Sequence, residues 1–259
     1  MKIISTFLFT GWIVASGALA IAADGKSDAP AAAAKSPAAR EVVDRYIKEI
    51  GGKETILKHN SMKLKGKWEM AAMNQAGDFE LLRTKPNRQV MRLKLGDQGQ
   101  IVNGYDGKIG WTVNPFSGAM LLEGKQLDQT AEEAEFYNIL HPEKDYKSME
   151  SIGTAQMDGK DCIEIKLVTK SGREIHEFYD RTSGLLAATR SNQESEQGSN
   201  PVTIVFSGYK KIGDLLQATR LQAQAPQFEM VLTVSSVDYD AVADSEFVMP
   251  DEVKALIKK

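Results

Sequence analysis

The residues that could do chemistry are few and scattered. The chain holds three histidines, His59, His141 and His176, and one cysteine, Cys162. No two histidines stand four residues apart, so no helix can present a zinc-binding pair. A Gly-x-Ser-x-Gly elbow, a P-loop and a dinucleotide fingerprint are all missing. His176 falls between Glu174 and Phe178 on one face of an expected strand. A general base is the chemistry open to it, but no nucleophile stands near it in sequence, and a structural role is expected. A single cysteine excludes an intramolecular disulfide, and Cys162 reads as a small core residue on a strand. The expectation is a protein without catalytic residues, metal or cofactor.

The soft apolar residues are more informative. Met62, Met70, Met91, Met120, Met149 and Met230 all fall on expected strands. Methionine is flexible and fits irregular surfaces. Two readings stay open: an ordinary core between sheet and helices, or a concave apolar cavity for acyl chains or another hydrophobic ligand. Trp68 and Trp111 are natural wall residues in both.

The elements that would position these residues are mostly strands. Met62, Leu64, Gly66, Trp68 and Met70 alternate with Lys63, Lys65, Lys67 and Glu69, which gives one dry face and one wet face. Further strands are predicted at 77–84, 89–95, 98–104, 108–113, 119–122, 148–154, 160–168, 173–179, 185–191, 202–209, 215–224 and 228–238. Asp106-Gly107 and Asp158-Gly159 read as two-residue hairpin turns, and Pro86-Asn87 and Ser183-Gly184 as further reversals. Serial hairpins without regular intervening helices predict an antiparallel meander. Before it, Val42, Val43, Tyr46, Ile47 and Ile50 share a helix face, with Ser36 as cap, Pro37 at the first helical position and Gly51-Gly52 at the end. A second helix is predicted over 128–140, carrying Phe136, Ile139 and Leu140 and stopped at His141-Pro142. A short one is predicted over 250–259.

The N-terminus predicts export. Lys2 is followed by an apolar stretch to Leu19, then by two small-x-small sites, Ala18-Leu19-Ala20 and Ala20-Ile21-Ala22. The rival reading is an uncleaved anchor, against which stand the diluting Ser5, Thr6, Thr10, Gly11, Ser16 and Gly17. Residues 1–22 are expected as a cleaved signal peptide, 23–36 as a disordered Ala/Pro/Lys/Ser linker, and 37–259 as one domain. No cysteine sits at the end of the apolar stretch, so no lipid anchor is expected. A net charge of −3 with no basic stripe argues against nucleic acid as a partner.

Several segments together resemble the outer-membrane lipoprotein-sorting family, the LolA/LolB-like half-barrels. They are the exported start, Ile50-Gly51-Gly52, Met62-Lys63-Leu64-Lys65-Gly66-Lys67-Trp68, Tyr105-Asp106-Gly107-Lys108-Ile109-Gly110-Trp111, Asn114-Pro115-Phe116 and Phe247-Val248-Met249-Pro250. The resemblance implies a mainly β fold, an antiparallel open half-barrel around a hydrophobic cavity with helices as a lid. It also implies an arginine shortly after a strand-turn proline that helps control the lid. Aligned on Pro86, that position holds Val90, with Arg88 and Arg92 as the candidates to replace it on the same strand face.

The expected function is a non-catalytic periplasmic carrier of lipoproteins or other lipids. The alternative is an envelope structural or interaction module whose half-barrel is permanently filled. Lipoprotein acyl chains or another hydrophobic ligand, and an envelope protein, are the expected partners. The expected ligand-binding residues are Trp68, Met70, Met91, Leu93, Trp111, Phe136, Phe206 and Met230.

Overall fold

The computed structural model describes residues 37–195, 198–226 and 228–257. The expected signal peptide, the linker and the Ser36 cap lie outside the described residues. Two helices come first, α1 (Ala39–Glu49) and α2 (Lys53–Lys58). α1 buries Val42, Val43, Tyr46 and Ile47, the face its sequence period predicts. It starts later than Pro37: Ala38 is still extended, and the first helical bond runs from the Val42 N–H to the Ala38 carbonyl. Gly51 and Gly52, both at positive φ, end it, and the Gly52 N–H donates back to the Ile47 carbonyl at 2.8 Å.

The first run of strands is β1 (Ser61–Met70), β2 (Gln75–Thr84), β3 (Arg88–Lys94), β4 (Gln100–Tyr105), β5 (Gly110–Asn114) and β6 (Gly118–Leu122). The chain then forms helix α3 (Gly124–Ala134), an irregular stretch at 135–141, and helix α4 (Pro142–Asp145). The second run is β7 (Tyr146–Met157), β8 (Lys160–Thr169), β9 (Glu174–Asp180), β10 (Leu186–Ser195) and β11 (Gly198–Ser207). It continues with β12 (Lys210–Ile212), β13 (Leu215–Gln217), β14 (Arg220–Ala225) and β15 (Phe228–Tyr239), and helix α5 (Asp251–Ile257) closes the described chain.

Among the described residues, thirteen strands form one sheet in the order β6-β5-β4-β3-β2-β1-β15-β14-β11-β10-β9-β8-β7, and β12 and β13 form a separate ribbon. Every pairing is antiparallel. Two meanders are therefore joined where β15 pairs with β1. The sheet stays open, with β6 and β7 as its edges. These edge strands are consecutive in sequence, so the segment between them must travel from one edge of the sheet to the other.

The strand alternation sorts side chains onto two faces. The inner face carries the main core: Leu64, Trp68, Phe79, Leu81, Met91, Leu93, Ile165, Leu167, Tyr179, Phe206, Leu221, Met230 and Leu232 pack with the buried side of α1. The outer face has two smaller clusters. One joins Cys162, Phe178 and Val205; the other joins Leu82, Val90 and Trp111 with Phe247 and Val253 of the C-terminal segment.

Three local expectations are corrected. The strand predicted over 215–224 is broken after Gln217, because β13 leaves the sheet to pair with β12. Asp158-Gly159 has two positive φ values, 51° and 72°, as a two-residue hairpin turn requires, but of the other pair only Gly107 has one. Asp106 instead accepts hydrogen bonds from the N–H groups of Lys108 and Ile109, at 2.9 and 2.7 Å, in a wider loop. The helix predicted over 128–140 runs from Gly124 to Ala134. Its continuation is pulled away because the Phe136 N–H donates to the Pro86 carbonyl at 2.9 Å instead of to its own helix. Among the described residues no helix is long and apolar enough to cross a membrane.

Candidate ligand-binding site

The floor of the inner face is built by strands from both meanders. Trp68 and Met70 project from β1, Met91 and Leu93 from β3, Phe206 from β11 and Met230 from β15, and all six belong to the main core. Trp68 is 1% exposed, and its indole N–H donates to the Lys94 carbonyl at 3.0 Å, so its one polar atom is satisfied while the ring is dry. Phe136 joins the same core from outside the sheet and is 0% exposed. Seven of the eight expected residues are thus brought together.

Trp111 is not among them. It projects from β5 to the outer face, where it packs with Leu82, Val90, Phe247 and Val253. Its ring lies across Gly104 of β4, where a Cβ would stand 2.2 Å from ring carbons. The alternation on β5 groups Trp111 with Val113 against Thr112 and Asn114; the pairing shows that it is the polar Thr112, through Asn103, that shares the face of Met91.

The roof is the segment between the two edge strands, residues 124–140, here called the strap. Phe136, Ile139 and Leu140 enter the main core from it, all nearly fully buried. Yet the strap contributes no strand to the sheet. Within 136–140 the Phe136 N–H donates to the Pro86 carbonyl, the Leu140 N–H to the Tyr137 carbonyl, and the Tyr137 hydroxyl to the His59 carbonyl at 2.6 Å. A large apolar contribution therefore comes from a segment that lies outside the sheet ladder.

Arginines hold the strap from both sides. Arg83 of β2 follows Phe79 and Leu81 on the inner face and is 3% exposed. Its guanidinium donates to the Glu133 carbonyl at 2.7 Å and to the Glu135 carbonyl at 3.0 Å, the open C-terminal end of α3. Burial lowers its pKa to about 10, against the opposing pull of Glu133 and Glu135, so it stays charged at neutral pH. Arg173, just ahead of β9, places its guanidinium 3.3 Å from the Glu133 carboxylate and 3.3 Å from that of Glu132. Gln129 of α3 adds a hydrogen bond to the buried Gln193 of β10 and accepts one from the Glu194 N–H at 3.0 Å.

Arg83 and Arg173 thus meet at one residue. Six strand spacings of about 4.8 Å separate β2 from β9, roughly 29 Å in a flat sheet. Two arginine side chains cannot bridge that distance to a common partner, so the sheet is curled and the strap lies across its opening.

The expected substitutes for the family arginine lie elsewhere. Arg88 pairs with Asp244 at 2.5 Å and stacks over the Phe247 ring; Arg92 pairs with Glu80 at 2.7 Å and Glu246 at 3.1 Å. Both face the outer side and neither contact involves the strap. The arginine that does hold the strap is Arg83, whose phase with Phe79 and Leu81 makes it a charged residue on a dry face.

The inner face also has a polar end. Glu177 lies between Ile175 and Tyr179 in strand phase, is 1% exposed, and accepts a hydrogen bond from the Tyr179 hydroxyl at 2.6 Å. Burial, then the Glu177 charge, raises the pKa of the neighbouring Tyr146. His176, one residue away in phase, faces outward with its Nδ1 2.6 Å from the Glu164 carboxylate. A second histidine site lies beside the strap: His59 places its ring nitrogens 2.9 Å from Asp240 and 2.8 Å from Asp214 and stacks on Tyr239.

No protein-family model and no curated protein matches this sequence. Solved structures do match its shape. A DUF1329 family protein from Desulfovibrio piger aligns with a TM-score of 0.57 at 13% identity, covering 81% of this chain and 97% of its own. A LolA superfamily protein from Nitrosomonas europaea gives 0.56 at 13% identity, over 83% and 99%. A domain named for outer membrane lipoprotein sorting, from Vibrio parahaemolyticus, gives 0.54 at 11% identity, over 85% and 98%. At this identity the likeness concerns architecture: a large antiparallel open sheet with covering helices, which is the LolA-like fold.

Proposed function

We propose that this chain is a non-catalytic carrier of lipoprotein acyl chains or other lipids, working in the periplasm after removal of residues 1–22, with the strap as its lid. The observation that carries the proposal is the placement of Phe136, Ile139 and Leu140. They fill the inner face from a segment that is outside the sheet ladder and is held chiefly by polar contacts at α3. Such a segment can leave without unpairing a strand. An alkyl chain replacing those side chains would gain about 0.8 kcal/mol for each buried CH₂. Trp68, Met70, Met91, Leu93, Phe206 and Met230 would be the walls, and Phe136 the side chain displaced.

Native mass spectrometry of protein isolated from the envelope tests the proposal directly. Co-purified lipid, with titratable binding of a fluorescent fatty acid to delipidated protein, is the expected result. The second reading, a permanently filled interaction module, is favoured by the completeness of burial: Trp68, Met91, Phe136 and Met230 are all at 0–1% exposure. Absence of both lipid and titratable binding would select it. N-terminal sequencing of the same sample is expected to place the mature start between Ile21 and Asp24, and intact Met1 in the membrane fraction would favour an anchor instead.

A further inference from the structure

The carrier reading leaves the ligand's polar end unspecified, and the following inference rests on that reading. The inner face is not apolar throughout. Met91 of the floor stands opposite Asn103 on β4, and Asn103 stands opposite Thr112 on β5, so the three share one face. Gln89, two residues before Met91 on β3, is the diagonal neighbour of Asn103, about 7–8 Å away between Cα atoms. Gln89 and Asn103 are 2% exposed and Thr112 is 1% exposed. Three of their atoms, Gln89 Nε2, Asn103 Oδ1 and Thr112 Oγ1, have no hydrogen-bond partner among the described residues.

The strap roofs this patch. Its helix α3 lies against β4 and β5, and a Cβ on Gly110 of β5 would stand 3.1 Å from the Leu127 side chain. The buried amide of α3, Gln129, is committed to the other half of the sheet, where it meets Gln193 and the Glu194 N–H of β10. Arg83, opposite Gln89 on β2, donates to the carbonyls at the end of α3. A buried polar atom without a partner is costly, and an apolar side chain of the same shape would fill the same space without that cost. Gln89, Asn103 and Thr112 therefore suit a state in which something other than α3 lies on them.

The three atoms set the chemistry of that occupant. The Gln89 amide needs an acceptor, the Asn103 carbonyl needs a donor, and the Thr112 hydroxyl serves as either. An ionised carboxylate supplies acceptors only and would leave the Asn103 carbonyl unanswered. A hydroxyl both donates and accepts, so two neighbouring hydroxyls answer all three atoms.

We propose that this patch is a head-group subsite for a lipid with an uncharged, hydroxylated head, an acylglycerol or a glycolipid. Its chain would lie on the floor beside Met91, and its hydroxyls would bond Gln89, Asn103 and Thr112 once the strap is displaced.

The test compares two fluorescent probes on the delipidated wild-type protein: 1-cis-parinaroylglycerol and methyl cis-parinarate. They share a chain and an ester carbonyl and differ in the hydroxyls. The glycerol ester is expected to bind at least about tenfold more tightly. Thr112→Val and Asn103→Leu are each expected to weaken the glycerol ester alone and bring the ratio towards one. The denaturation midpoint of the empty variants is expected to stay level or rise, because an unpaired polar atom has been removed. A midpoint that falls while the ratio stays unchanged would assign these side chains to the fold alone and overturn the subsite. If Asn103→Leu fails to fold, the near-isosteric Thr112→Val and the wild-type ratio still decide. Displacement of the bound glycerol ester by 1-monolauroylglycerol against dodecyl glucoside then names the head, stronger displacement by one or the other assigning glycerol or sugar. Equal binding of the two probes to wild type would overturn the hydroxylated head and leave the carrier standing. Binding of neither probe would overturn the carrier reading, and this inference with it.

Discussion

Arg83 and Arg173 stand on opposite halves of a thirteen-stranded open sheet and grip the same residue, Glu133, one by its carbonyl and the other by its carboxylate. This shared partner locks the strap across the curled sheet. It also divides the strap's attachment into a polar part at α3 and an apolar part at Phe136, Ile139 and Leu140, which can be weakened separately.

Removing the apolar part should favour ligand. Phe136→Ala deletes a fully buried ring, at a cost of about 3–5 kcal/mol if the site does not collapse. The cost falls on the closed arrangement, because the floor is untouched. Fatty-acid titration should therefore show tighter binding by Phe136→Ala than by wild type. Weaker binding by a folded variant would make Phe136 a direct ligand contact and end its role as a displaceable plug.

The two tryptophans should separate stability from binding. Trp68→Ala and Trp111→Ala each empty a well-packed site and should each cost roughly 3–5 kcal/mol in denaturant unfolding. On the carrier reading only Trp68→Ala should also change the affinity for a fluorescent lipid, because Trp111 faces away from the floor. A binding defect in folded Trp111→Ala would contradict the division into faces.

His59 should make stability depend on pH. Partial burial lowers its pKa, but hydrogen bonds to Asp240 and Asp214 outweigh that, and the net shift is upward from 6.5. A raised pKa in the folded state contributes stability that is fully present below the unfolded value and is lost as pH rises through the folded one. Wild type should therefore lose stability on going from about pH 6 towards pH 8 relative to His59→Gln, as read from denaturation midpoints. Parallel pH profiles for the two proteins would show that the aspartates do not hold the charged ring.

Gly66 should tolerate no side chain. It sits on β1 at the point where the pairing with β15 slips by one residue, and a Cβ there would stand 2.0 Å from the Thr233 carbonyl. Gly66→Ala should lower the melting midpoint, by at least about 1–3 kcal/mol in stability, the usual range for overpacking. An unchanged midpoint would mean that the bulge can move along the strand without cost.

Most strands could be read from the sequence because one face of each is dry, and period-two alternation records that directly, as Leu64, Trp68 and Met70 do on β1. The apolar inner face followed from the same signal. The strap did not, because its residues are apolar for reasons of tertiary contact. Phe136 and Leu140 suit a helix as well as a plug, and the contacts at the helix end, the Phe136 N–H on the Pro86 carbonyl and Arg83 on the Glu133 and Glu135 carbonyls, come from elements distant in sequence. Trp111 and Val113 form the apolar phase of β5, which reads as a core face, but pairing through Gly104 and Val90 puts that phase outside, under Phe247 and Val253. Arg83 and Glu177 were overlooked for the opposite reason: charged residues in a dry phase are easily read as surface, and their partners lie on elements far away in sequence.

The strap is joined covalently at both ends, to β6 and through α4 to β7, so it cannot diffuse away when displaced. On the carrier reading it behaves as a tethered competitor, present at the same high local concentration however dilute the protein. A short-chain amphiphile cannot outbid it, and a longer one gains with each added methylene until the exchange tips. Chain length would therefore act as a threshold. Delivery then needs no separate ejecting force, because once a receiving surface draws the ligand off, its replacement is already in place.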